Sequence, residues 1–109
     1  HVRFLLKYST GSGEEHGFTF RSEDLEVMVN DIEANGLKAF LVLVCGDETV
    51  CCLDEKEISK VLDVRNGDGR QHWIRVLSPE GKSMRVNGSN GELGWTVAHS
   101  RFPGCIFGD

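Results

Sequence analysis

The feature that most restricts this chain is the unbroken apolar run at residues 39–45 (AFLVLVC), which follows Leu37 and Lys38. Consecutive apolar side chains point to opposite faces of a strand, so such a run needs both faces covered. It is far shorter than the ~20 apolar residues that span a bilayer. Its flanks also lack the basic n-region and small-residue cleavage site of a signal peptide. Residues 37–45 are therefore expected to form a central strand, and no membrane partner is expected. The chain has 109 residues, enough for one domain around such a strand, residues 1–109. A domain of this size buries roughly 60–70 % of the surface its unfolded chain exposes, so it needs no disulfide or metal staple. Because the sequence opens at His1 without methionine, a place within a longer chain is also open.

The elements around the central strand follow from local patterning. Residues 2–8 place Phe4, Leu6 and Tyr8 on one face of a first strand, and residues 18–20 read as a short second one. Ser22 is placed to cap a helix, with Glu23 and Asp24 in its first turn, Leu25, Met28, Val29 and Ile32 as its apolar stripe, and Asn35-Gly36 as its stop. Gly46-Asp47 suits a two-residue turn that needs positive φ at its first position, with residues 48–53 returning as a strand. Asp54 and Glu57 have the spacing of a capping box, and Leu53 and Ile58 that of a hydrophobic staple, so a second helix follows with Ile58, Val61 and Leu62 inward. Residues 65–71 read as a loop. Strands follow at 72–77, 82–86 and 93–97, separated by Ser78-Pro79-Glu80-Gly81 and by residues 88–91. Residues 100–109 read as an irregular tail that Phe102, Ile106 and Phe107 pin to the core. The order β-β-α-β-β-α-β-β-β, joined by hairpins, predicts an α+β fold with a mostly antiparallel sheet and two helices packed on one face.

Composition narrows the function classes. The net charge is −5, with 12 Lys and Arg against 17 Asp and Glu, which disfavours nucleic-acid binding because phosphate contacts need a positive footprint. The densest basic set is Arg65, Arg70, Arg75, Lys82 and Arg85. Four cysteines, Cys45, Cys51, Cys52 and Cys105, are too few for a disulfide scaffold; three sit in apolar segments, where a thiol behaves as a small hydrophobe. Reduced thiols imply a cytoplasmic location. Asn87-Gly88-Ser89 fits a glycosylation acceptor in form and is read as a turn.

No motif for catalysis, metal or cofactor withstands inspection. The glycines at 11, 13 and 17 lack the third-glycine spacing and following helix of a phosphate loop, and Glu14 and Glu15 would repel phosphate. Residues 63–69 fail the calcium-loop pattern at Arg65 and Asp68. For zinc, Cys51 or Cys52, His72, His99 and Cys105 show no ligand spacing, and Cys51 and Cys52 point to opposite strand faces. Cys105 beside His99 is the one tolerable thiol–imidazole pair, since carboxylates border the other cysteines. No residue is assigned a catalytic role, and no cofactor is expected.

What remains is a binding surface. Trp73 and Trp95 stand on late strands, and Trp is the residue most enriched at interaction hot spots. Arg75, Arg85 and Arg101 are placed to frame them and to take a carboxylate or phosphate, with His99 nearby. The leading expectation is a non-catalytic domain that binds a protein partner or a second copy of itself. The alternative is a small-molecule-binding domain or hydrolase, with a pocket between sheet and helices lined by Phe4, Phe18, Trp73 and Trp95, and His72 or His99 as its polar group.

Overall fold

A computed structural model of the chain describes residues 3–9, 13–35, 39–65 and 71–107. The elements run β1 (Arg3–Ser9), β2 (Glu15–Phe20), α1 (Ser22–Asn35), β3 (Ala39–Cys45), β4 (Thr49–Asp54), α2 (Glu55–Val61), β5 (His72–Leu77), β6 (Arg85–Gly88) and β7 (Gly91–Glu92). A 3-10 turn (His99–Arg101) and a one-turn helix α3 (Gly104–Phe107) follow. The fold is α+β and mostly antiparallel, as expected. Its strands divide between two sheets: β1-β3-β4, called sheet A here, and β2-β5-β6-β7, called sheet B.

The apolar run forms β3, the middle strand of sheet A, and none of its residues is exposed. β4 returns antiparallel beside it, with Leu41 opposite Leu53 and Leu43 opposite Cys51. Cys45 pairs with Thr49, so the turn holds three residues rather than two. Gly46 sits there at φ +54°, the positive value its position requires. β1 does not form a hairpin with β2. It pairs with β3 in parallel, Leu6 opposite Val42, because β2 and α1 intervene and carry the chain back to its starting end.

α1 begins one residue outside the expected cap. Arg21 supplies the first helical carbonyl to the Leu25 N–H, and Asp24 reaches back to the Arg21 N–H. Asp24 also accepts from Lys7 of β1 at 3.0 Å, and Asp31 lies 3.9 Å from Arg3. The capping box of α2 forms as read: Asp54 accepts from the Glu57 N–H at 2.9 Å, and Glu57 accepts from the Asp54 N–H at 3.1 Å. At the other end of α2 the turn after β6 satisfies helix carbonyls. The Asn90 backbone N–H donates to Val61 O, and its side-chain amide donates to Ser59 O. This closeness demands glycine at 88. A Cβ there would lie 2.7 Å from Val61 Cβ and 2.8 Å from its carbonyl carbon.

Leu25 and Met28 of α1 and Ile58 and Val61 of α2 share one core with Leu41, Leu43 and Leu53 of sheet A and Phe18, Ile74, Val76 and Val86 of sheet B. The other face of sheet A carries a second, smaller cluster: Val42 and Cys52, packed under Phe102, Cys105 and Ile106. The tail is thus pinned through Phe102 and Ile106, as expected.

Two late strands differ from the reading. The sixth starts at Arg85, with Met84 forming an isolated bridge to Val97. Residues 93–97 are not a strand: Gly94 and Trp95 bend, and Trp95 turns outward while Leu93 and Val97 stay buried. The stop at Gly36, the first residues of the strand at 37–38, and residues 66–70 of the expected loop and calcium-like segment lie outside the described residues, as do Val2 and the Phe107 side chain.

Candidate functional site

The outer face of sheet B gathers most of the expected binding residues. Period-two alternation puts His16, Phe18 and Phe20 of β2 inward, and His72, Ile74 and Val76 of β5 with them. Register then lays out the other face in rows. Glu15, Leu77 and Arg85 form one row, Gly17, Arg75, Asn87 and Glu92 the next, and Thr19 and Trp73 the third.

Two clefts open on this side. The first, about 420 Å³, runs beside Gly17 and is bordered by Thr19, Trp73 and Arg75. Gly17 leaves its floor open, since a Cβ at that position would meet nothing within 4 Å. The Arg75 guanidinium stacks on the Trp73 ring, 5.1 Å from its centroid, and its Nε lies 3.8 Å from Glu15. The second cleft, about 290 Å³, lies between Arg85, Leu77, Glu92 and the exposed Trp95. Trp95 is held rigidly for an exposed side chain. Its indole N–H donates to Glu57 Oε2 at 2.7 Å, and the Lys60 ammonium sits 5.4 Å from its ring centroid.

Glu57 is the residue the sequence underread. It was legible as half of a capping box, yet it is almost wholly buried and also accepts from Arg101 and Trp95. Burial by itself pushes its carboxyl up; the Arg101 guanidinium, the Trp95 indole and the Asp54 N–H outweigh that and hold it below the usual carboxylate range. Arg101 also donates to the Cys52 carbonyl, so it fastens the tail to β4 rather than facing a ligand. The pair holds Arg101 above its ordinary pKa although desolvation works against it.

The other expected residues go elsewhere. His99 is anchored between β4 and the turn before β6: a carbonyl only accepts, so Nε2–H donates to Lys82 O at 2.8 Å, and the Thr49 hydroxyl lies 2.6 Å from Nδ1. His16 is a satisfied core histidine, with Nε2–H donating to Gly13 O. His72 is buried with Nε2 unpartnered, beside a small opening of about 70 Å³ near Asp63 and Ser89. That nitrogen is itself closed off from solvent. Phe18 is in the core, Phe4 lies on the outer face of sheet A and Trp73 on that of sheet B, so these three do not line one pocket.

The thiols of Cys45, Cys51 and Cys52 are inert by environment. Burial pushes Cys45 up to about 11 and raises Cys51 and Cys52 further, and carboxylates are a minor contribution. Among the described residues, no group of three or more His, Cys, Asp or Glu side chains is placed to hold a metal ion, and no helix is long and apolar enough to cross a membrane. Four of the six expected binding residues, Trp73, Arg75, Arg85 and Trp95, thus share one side of sheet B, while His99 and Arg101 serve the framework. A scan against protein-family models and searches of curated proteins and of solved structures return no match to this chain.

Proposed function

We propose that this domain is a non-catalytic protein-interaction module that grips an extended segment of a partner across the outer face of sheet B. The observation that supports this reading is the pair of clefts, each walled by a tryptophan with a cation over or beside it: Trp73 with Arg75, and Trp95 with Lys60 and Arg85. Rigid Trp and Arg side chains beside concavities are what interaction hot spots are built from. Glu15 and Glu92 interleave with the arginines, so the face carries mixed charge. Mixed charge suits a peptide with its own carboxylates and apolar side chains, and it suits a nucleic-acid backbone poorly.

Peptide phage display on the wild-type domain tests this. Enriched peptides should lose binding at least tenfold to Gly17→Leu, which fills the first cleft without touching the core, and to Arg85→Ala. Failure to enrich any peptide, or enriched peptides that bind both variants as tightly as wild type, would overturn the proposal.

A further inference from the structure

Sheet A carries a second surface of different character. β1 is its edge strand, and every residue of β1 is exposed or half-buried, whereas the neighbouring β3 has none exposed. Phe4, Leu6 and Tyr8 leave the outer face 45 %, 38 % and 67 % exposed. Phe102 and, from α3, Cys105 and Ile106 pack on the β3 and β4 columns of that face, Val42 and Cys52.

The opposite flank of the same edge adds one exposed apolar side chain between two ion pairs. Asp24 and Asp31 of α1 reach Lys7 and Arg3 of β1. Val27 lies three residues after Asp24 and four before Asp31, on the same helix stripe, and is 43 % exposed. Among the described residues, four of the six exposed large hydrophobic side chains therefore border one strand edge. Natural edge strands are commonly guarded by a lysine. Here Lys7 is drawn inward onto Asp24 and the Phe20 ring, which leaves Arg3, at the start of the strand and near Asp31, as its outward cation.

From this geometry we infer that β1 pairs antiparallel with β1 of a second copy, about a two-fold axis through Leu6. That register sets Phe4 opposite Tyr8 of the other copy and Leu6 opposite Leu6, merging the two apolar stripes into one. On the other face it sets Leu5 opposite Lys7 and Arg3 opposite Ser9, so no like charges meet. A two-fold interface must be complementary to itself, and this strand is. Sheet A then continues as six strands. The strip is one strand long, about 24 Å, which places the contact among small interfaces of under about 1,200 Å². The dimer is accordingly concentration-dependent. This inference is independent of the sheet B reading, since the two surfaces lie on different sheets.

Sedimentation equilibrium across a hundredfold range of concentration tests it. Wild type should pass from monomer to dimer. Leu6→Lys and Leu6→Glu, each placing like charges across the axis, should each weaken dimerisation at least tenfold while keeping the wild-type circular dichroism. An equimolar mixture of the two variants should recover the dimer, and Arg85→Ala should behave as wild type. A wild-type monomer at every concentration would assign the edge to some other occupant and overturn the inference. A dimer insensitive to Leu6→Lys, or a mixture that stays monomeric, would overturn it as well.

Discussion

Replacing Gly88 by alanine adds a single methyl group, and the structure places it inside the backbone of α2. The new Cβ would lie 2.8 Å from the Val61 carbonyl carbon and closer still to its oxygen, and this neighbour is helix backbone that cannot rotate away. Either α2 retreats or β6 bends. Overpacking of this kind costs about 1–3 kcal/mol. Retreat of the helix also strains the two bonds from Asn90 to Val61 O and Ser59 O, each contributing about 1 kcal/mol. The expected loss is about 3–4 kcal/mol, a large share of the 5–15 kcal/mol that holds a typical domain folded. For a domain near 100 residues that lowers Tm by roughly 12–25 °C. Urea and thermal unfolding followed by circular dichroism would read it, with Gly94→Ala as control, because a Cβ at Gly94 meets nothing within 4 Å. The control should stay within about 0.5 kcal/mol of wild type. A Gly88→Ala protein equally close to wild type would refute the packing of α2 on β6 described above.

Further outcomes follow from the buried charge and the thiols. Arg101→Ala leaves the Glu57 carboxylate buried without its cation and should cost about 3–5 kcal/mol in urea unfolding; a change below 1 kcal/mol would show that the pair contributes nothing. Glu57 and Asp24 are both held below their ordinary pKa in the folded chain, where burial of each is outweighed by hydrogen bonds and nearby cations. Their stabilisation is therefore complete above the unfolded values, about pH 4, and is lost as pH falls through the depressed folded ones. Glu57→Gln should flatten that acid slope in a Tm-against-pH series. At the alkaline end the sign reverses: Cys45, raised to about 11, stabilises below the unfolded value near 8.5 and loses that contribution as pH rises towards 11. Under native conditions Cys105, the half-buried thiol, should alkylate well before Cys45, Cys51 and Cys52, as mass spectrometry of iodoacetamide-treated protein would show; equal rates would contradict the burial assigned to the other three.

Legibility tracked the range of the interactions. The capping box at Asp54 and Glu57 and the buried run at β3 were readable because each is decided within a few residues. The parallel pairing of β1 with β3 was not, since strand partners are chosen across tens of residues by the packing of α1. Residues 93–97 were misread for a related reason. Leu93, Trp95 and Val97 alternate as a strand would, yet Trp95 turns outward because its indole N–H finds the buried Glu57, a contact 38 residues away in sequence. Half-readable sites have the same cause. Trp73, Arg75 and Arg85 share a face by simple alternation on paired strands, whereas the claims of Arg101 on Glu57 and of His99 on Thr49 and Lys82 belong to the folded tail. The apolar stripe of β1 was visible as a pattern, but its exposure depended on β1 taking the edge of sheet A and β3 its middle.

The most direct test of the interaction reading is a ¹H–¹⁵N spectrum of the indole region, because the chain holds two tryptophans and each marks one cleft. On titration with a peptide selected on the domain, both the Trp73 and the Trp95 indole resonances should shift, while amide resonances of Phe4, Leu6 and Tyr8 remain in place. Unmoved indoles at saturating peptide would contradict the assignment of function to the outer face of sheet B.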